Sequence, residues 1–484
     1  MSKRLIFVLA LVLAIGLTAS AYAEVQNVKV SGDISATGVM RDKLTLQNDQ
    51  TVTNFGRKIS GILSQARVRV DADLTDNVTT TVRLLNERMW GAEVDNSNLN
   101  GTAHTTDIDL DLAYVTLKEF LYSPLTLTIG RQELRYGNAL IIGDVDTNGI
   151  AAGHGTTSRY LPNSLDDLSL RKSFDAVKGV LNYTVAGNPL AIDLVFSKID
   201  QNITGANQSA DLWGVNVNYV PLKDTVTELY FWDRSRKALA TGTIVDNKWE
   251  VLQTLGARVA YAGIKDLNVG LEGAWQFGNH MYNATWYPDD NAANATVAAG
   301  RPNRKVQAFA IQATGNYVFS SVKFTPMAKA AYTYLSGDKY NGTSNHYRGW
   351  SSMYEDQAGG TLFNKIVGYS NAQQLLVGAS MKAMDDLSIG LDYYYLILNQ
   401  PYTYDTPGNV KPVVILSGVA GDPTYTMKPD KHGLGHEVDL KVTYDYTEDV
   451  QFIINTGAFI PGTAFDGKNK QTASQVIGSM KVTF

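Results

Sequence analysis

Gln475-Val476-Ile477-Gly478-Ser479-Met480-Lys481-Val482-Thr483-Phe484 alternates between two faces. Val476, Gly478, Met480, Val482 and Phe484 fall on one side of a strand; Gln475, Ser479, Lys481 and Thr483 fall on the other, and Ile477 alone breaks the apolar pattern. An apolar row that ends on a ring suits a closed membrane barrel, whose last strand pairs with its first and whose outer face meets lipid. Such closure sets Val476, Met480 and Val482 beside the outward row Val28, Val30 and Ile34. It also points Lys481 into the lumen close to Lys29.

The beginning of the chain agrees with export. Lys3 and Arg4 precede an apolar run from Leu5 to Leu17, and Ala21-Tyr22-Ala23 follows as a small-x-small cleavage site, so residues 1–23 read as a signal peptide. Residues 24–484 read as one outer-membrane barrel domain. No later window is apolar enough for a transmembrane helix, which excludes a helical membrane protein. There is no Cys, so neither a disulfide framework nor a thiolate metal site exists. With 26 Tyr, 42 Gly and 18% charged residues, composition favours sheet, turns and interfacial aromatics. Of the 42 Lys and Arg, two precede the cleavage site; against 47 Asp and Glu the mature chain carries −7, which argues against a nucleic-acid partner.

From Glu24 onward, period-2 segments of about ten residues alternate between very short and long connections. Thr75-Asp76-Asn77-Val78, Lys265-Asp266-Leu267, Asp385-Asp386-Leu387 and Glu448-Asp449-Val450 place acidic turn formers between alternating runs and predict tight hairpins. The count is eighteen strands, from 28–40 to 474–484 and including 322–335, with sixteen as the alternative. The fold class is therefore all-β, a transmembrane antiparallel β-barrel with short periplasmic turns and long extracellular loops. Tyr183, Tyr219, Tyr261, Tyr317 and Tyr444 share the apolar parity just before short turns, where a periplasmic girdle belongs. Trp232, Trp275, Tyr334 and Tyr395 sit where a second girdle is expected. The connections near 137–170, 279–304, 336–372 and 398–434 read as extracellular loops, some folded inward.

Ala113-Tyr114-Val115 and Leu127-Thr128-Ile129-Gly130-Arg131-Gln132-Glu133-Leu134-Arg135-Tyr136-Gly137 resemble the alginate export porin family. Ser173-Phe174-Asp175-Ala176-Val177, Leu434-Gly435-His436-Glu437-Val438-Asp439-Leu440 and Phe459-Ile460-Pro461-Gly462 follow in family order. The resemblance implies an eighteen-stranded outer-membrane channel, and the family's namesake passes a polyanionic polysaccharide through an arginine-lined constriction. Its members carry different substrates, so fold transfers further than solute.

Parity assigns the walls. Ala66, Val68, Val70 and Ala72 face lipid, which turns Arg67, Arg69, Asp71 and Asp73 inward; Val78, Val82 and Leu84 likewise turn Arg83 and Glu87 inward. Arg67, Arg69 and Arg83 then form a basic wall for anionic or hydroxyl-rich solutes. The competing reading is that Asp71, Asp73 and Glu87 neutralise them and merely fill the wall. Simple alternation sets Arg131 towards lipid, where mid-bilayer charge costs about 2–4 kcal/mol. The family motif implies a lumen-facing arginine, and a bulge at Gly130 would supply it. Arg135, Lys178, Lys329, Glu437 and Asp439 complete the expected solute pathway, with Arg258, Lys323, Lys382 and Lys441 as further inward cations. A wall so mixed in sign departs from a dedicated polyanion exporter.

Catalysis finds little support, because His104, His154, His280, His346 and His432 lie in loops and His436 lies on the opposite parity to Glu437. Asp144, Asp146 and Asn148 match the first half of a calcium loop, but Gly155 stands where the closing Glu belongs, so an Asx turn is the simpler reading. No cofactor is implied. The readings in play are a porin passing hydrophilic, anionic or polysaccharide solutes, a structural or adhesive barrel with a plugged lumen, and a barrel enzyme.

Overall fold

The computed structural model describes residues 27–48, 58–91, 108–122, 124–145, 165–201, 209–237, 249–280, 304–338, 345–357, 360–401, 425, 427–428, 430–467 and 469–484. The signal peptide and the calcium candidates Asp146 and Asn148 lie outside these residues. Eighteen barrel strands follow in order: β1 Asn27–Asp42, β2 Lys58–Thr75, β3 Val78–Met89, β4 Asp109–Leu117, β5 Leu125–Glu133, β6 Ser173–Val185, β7 Asn188–Gln201, β8 Ser209–Tyr219 and β9 Thr225–Lys237. The second half comprises β10 Trp249–Ile264, β11 Leu267–His280, β12 Arg304–Val318, β13 Met327–Leu335, β14 Ala372–Lys382, β15 Leu387–Leu398, β16 Gly433–Asp445, β17 Val450–Pro461 and β18 Ala473–Thr483. Each pairs antiparallel with its sequence neighbour, and β18 pairs with β1, so the sheet closes on itself. The pair His346–Tyr347 lies in the connection from β13 to β14 and runs parallel to the start of β12.

The closing register is offset from simple end-to-end matching. Ile34 faces Val482, Ala36 faces Met480 and Met40 faces Val476. Val28 and Val30 lie below that seam and pair only with β2. Lys481 therefore sits opposite Ser35, 3.9 Å from Asp33, rather than beside Lys29. β1 starts six residues before the first β18 contact, and the chain direction parity cannot reveal that stagger.

Val68, Val82, Ile129, Val177, Leu194, Leu271, Val377 and Ile454 are exposed on the outer face, as lipid-facing rows require. Tyr183, Tyr261, Tyr317 and Tyr444 are exposed at the periplasmic ends, and Trp275 and Tyr395 at the other. Trp232 is a correction: it is fully buried inside, its ring tilted against Tyr136 with centroids 4.8 Å apart. It shares the inward parity of Glu228 and Tyr230, and meets an apolar interior rather than lipid. The expected 322–335 strand begins only at Met327, because Phe324 and Thr325 turn with φ of 68° and 43°. Lys323 is thereby carried out of the wall and over the Phe324 ring.

That interior is filled from the loops. Leu134, Leu140, Ile141 and Ile142 pack with Trp350, Met353, Tyr354 and Tyr369 against the inward side chains Phe174, Val195, Leu212, Trp232, Leu252 and Val306. A second cluster seats Leu362, Phe363, Ile366 and Val367 against Leu396, Leu434 and Phe459. Apolar area removed from water stabilises by about 25 cal/mol per Å², so these clusters hold the segments inside the barrel.

Candidate functional site

The in-folded segments 134–145, 345–357 and 360–371 form one plug. The Gly143 and Asp144 N–H groups donate to the Tyr354 carbonyl at 2.7 and 3.0 Å, Tyr354 N–H donates to Ile141 O at 3.0 Å, and Asp356 N–H donates to Ala139 O at 3.0 Å. Asp356 also takes the Arg135 guanidinium and the Lys172 ammonium. Arg135 is thus tied into the plug. Asp144 is buried there, with Lys172 3.9 Å away, and among the described residues no cluster of His, Asp and Glu has the arrangement of a metal site. Glu355 accepts the Gln357 N–H at 2.5 Å, and burial pushes its carboxyl up to about 8.

The plug is fastened to the wall by carboxylates. Glu437, fully buried, accepts the N–H groups of Leu362 and Phe363 at 2.7 Å each, at the start of the short helix α1 (Phe363–Ile366). Asp439 accepts the Thr361 N–H at 3.1 Å and its hydroxyl at 2.9 Å. Gly360 has φ +113°, and a Cβ there would lie 2.5 Å from the Glu437 carboxylate. The Glu-x-Asp pair, expected among the solute-pathway residues, is therefore occupied by plug backbone. Glu87 acts similarly: it accepts the Leu170 N–H at 2.7 Å and the Ser169 hydroxyl at 2.8 Å. Asp167 links the wall to α1, receiving Arg41 at 2.6 Å and standing 3.5 Å from Lys365.

The inward arginines of β2 and β3 have carboxylate partners. Arg67 meets Asp33 at 2.5 Å, Arg69 meets Asp71 at 2.7 Å, and Arg83 meets fully buried Asp111 at 2.5 Å together with Glu133. Asp71 is the one partner that parity reading named; Glu87 holds the plug, and Asp33, Asp111 and Glu133 were missed. Asp111 and Leu112 are both buried where the β3–β4 register shifts, so a β4 bulge turns an otherwise outward carboxylate inward. Lys178 projects inward near Asp193, and Lys329 meets Asp392 at 2.8 Å.

Arg131 is a correction to the lumen assignment. Pairing of β5 runs without a shift from Leu125↔Leu181 to Glu133↔Ser173, so Gly130 makes no bulge. Gly130 instead has φ +125°, and a Cβ would lie 2.1 Å from the Ala113 carbonyl; the position needs glycine for close strand approach. Arg131 stays on the outer parity with Ile129 and binds Asp175 through two bonds of 2.8 Å. Asp175 pairs across the sheet with Lys198, which meets Asp211 at 2.6 Å. These four residues form an outer ladder above Ile129, Val177, Phe196 and Trp213, at the upper edge of the apolar band, where a charge costs only about 0–1 kcal/mol. Within the same motif Gln132 turns inward and donates to the carbonyls of Thr128, Gly130 and Ala176, while Tyr136 donates to Asp193 at 3.0 Å. The motif marks the exit of β5 into the plug. A signal for the plug was present in the sequence but not used: Ala139-Leu140-Ile141-Ile142, an apolar run within a polar loop.

Comparison with known proteins agrees with this architecture. Acinetobacter baumannii OccAB1 superposes with a TM-score of 0.53 at 12% identity, covering 96% of this chain and 99% of that one. Pseudomonas aeruginosa OccD3 (OpdP) gives 0.52 at 11%, covering 96% and 93%, and Pseudomonas aeruginosa OpdK, solved with vanillate, gives 0.50 at 11%, covering 94% and 99%. At such identities the likeness shows the fold, that of outer-membrane porins. No curated protein matches the sequence. The alginate export family matches residues 35–479. The chain is a membrane-embedded channel of the bacterial outer membrane, a transporter by family and fold, and it belongs to the alginate export family.

Proposed function

We propose that this channel passes hydrophilic solutes, small anions and hydroxyl-rich sugars among them, through a polar lumen with Arg67, Arg69, Arg83 and Lys178 on one side. The observation that carries the reading is the pairing on β2 and β3: three inward guanidiniums, each already bound to a carboxylate. A guanidinium so compensated still offers N–H donors to a passing solute, but its attraction for anions is reduced. Weak anion preference follows. A polyanion such as alginate would need an uncompensated basic ring at the narrowest level, so alginate is the solute least favoured by this wall.

The test is ion current across planar bilayers under a KCl gradient. The purified barrel should conduct with a reversal potential slightly towards anions, and Arg69→Glu should move it towards cations. Absence of conductance would remove the channel reading. A second reading, a structural or adhesive barrel closed by its plug, draws on the two apolar clusters inside the lumen. It gains if loop deletions abolish binding to a surface partner and leave permeability unchanged.

A further inference from the structure

Below the Thr361 end of the plug, the inner wall of β13–β17 is hollowed into a cavity of about 310 Å³. That is the lower end of the range for small-molecule sites, about 300–1,000 Å³. The hollow is built by missing side chains. Gly390 faces it, and a Cβ there would meet nothing nearer than the Ser380 Cβ at 3.6 Å. Gly378 allows the Lys329–Asp392 pair to lie across the wall, since a Cβ would be 2.2 Å from the Asp392 carboxylate and 2.6 Å from Lys329 Cε. Around this floor stand Lys329, Asp392, Tyr394, Asp439, Lys441 and Asn455.

The chemistry of the lining selects among solutes. Two ammonium groups and two carboxylates give no net charge. Asp392 is held by Lys329 at 2.8 Å and Asp439 by Thr361 at 2.9 Å, and both keep acceptor lone pairs beyond those bonds. Ser388 and Thr443 add hydroxyls, and Asn455 adds both a donor and an acceptor. A ligand that donates and accepts at many points without net charge fits such a ring. A carboxylated one would face two fixed acids.

We propose that this hollow is a docking subsite for one neutral polyhydroxyl unit, of hexose size, on the path through the lumen. The proposal rests on the channel reading for its place on a route, but binding in the hollow is separable from conduction. Asp392 and Asp439 accept from sugar hydroxyls, Asn455 both accepts and donates, Lys329 and Lys441 donate to sugar oxygens, and the Tyr394 ring offers an apolar side. A solute held weakly at such a site leaves easily, as conduction requires.

The experiment uses the full barrel in detergent micelles, with saturation-transfer NMR to D-glucose and to D-glucuronate, which differ in one carboxylate. KCl conductance is measured in parallel. Glucose should show saturable transfer, at least fivefold weaker for glucuronate. Gly390→Leu, which fills the hollow, and Asn455→Ala should each weaken glucose transfer fivefold or more, in protein whose heat-shifted gel mobility shows a folded barrel. Asp392→Asn leaves Lys329 uncompensated and should reverse the preference towards glucuronate. Equal or tighter glucuronate binding in the unaltered protein, or glucose transfer unchanged in both Gly390→Leu and Asn455→Ala, overturns the proposal. Glucose binding without KCl conductance supports the subsite and overturns the channel reading; conductance without saturable transfer does the reverse.

Discussion

On β2 and β3 the inward Arg67, Arg69 and Arg83 face carboxylates of the same wall, whereas on β16 the inward Glu437 and Asp439 face the backbone of the plug. Both regions alternate in sequence and both turn charge to the lumen. They differ in what satisfies that charge. An arginine fork is matched by a carboxylate two atoms wide, so it can be balanced within a wall. A buried carboxylate accepts from any N–H, so it can recruit a loop. The guanidiniums of the inner face are therefore balanced within the wall, whereas its carboxylates Glu437, Asp439 and, on β3, Glu87 hold in-folded backbone.

The largest expected effect lies on the balanced side. Arg83→Ala leaves fully buried Asp111 without its guanidinium, and breaking such a pair costs about 3–5 kcal/mol. Denaturant unfolding of the reconstituted barrel should show that loss, with part of it restored by pairing Arg83→Met with Asp111→Asn. Equal stability of Arg83→Ala and the parent would mean that the wall is not held by this pair. On the anchoring side, Gly360→Val forces a β-branched residue into φ +113° and onto the Glu437 carboxylate. Backbone strain of about 1–3 kcal/mol adds to the loss of charge-assisted bonds worth about 1.5–3 kcal/mol each. Hydrogen exchange at Leu362 and Phe363 should accelerate tenfold or more while the barrel strands stay protected.

A smaller effect comes from pH. Glu355 binds its proton more tightly in the docked plug than a solvated carboxyl does, with its value raised to about 8 by burial. Docking is then strongest below the ordinary glutamate value of about 4.3 and weakens as pH rises, levelling off above the raised value. Protection factors of the Gly143 and Tyr354 amides, taken relative to the intrinsic exchange rate at each pH, should fall from pH 5 to 9, and Glu355→Gln should flatten that slope. A slope of opposite sign would contradict the buried acid. The smallest effect should be Arg131→Ala, about 1 kcal/mol or less, because the Arg131–Asp175 pair is half-exposed at the upper edge of the apolar band. A cost matching that of Arg83→Ala would place Arg131 in a far less solvated setting than the outer ladder.

Period-2 alternation carried the wall because each strand has lipid on one side, and lipid tolerates only apolar rows; Val68, Val82 and Ile454 leave no choice of face. Inside, the rule weakens. Trp232 looked like an interfacial aromatic because its lumen was read as water, yet the plug makes that part apolar. Asp111 escaped parity through a bulge, and Arg131 kept its parity where the motif had suggested a flip. Ion-pair partners such as Asp33 for Arg67 depend on the register between neighbouring strands, which alternation within a strand does not encode. The plug contacts of Glu437 and Asp439 join residues more than seventy apart, and nothing local to either strand or loop announces them.

The measurement that bears most directly on the account is single-channel conductance of Glu437→Ala/Asp439→Ala beside the unaltered barrel in planar bilayers. A plug held in the lumen by these two carboxylates predicts a severalfold rise in conductance with frequent switching between levels, in protein that keeps the heat-shifted mobility of a folded barrel. Conductance and noise identical to the parent would show that the clamp does not control the opening.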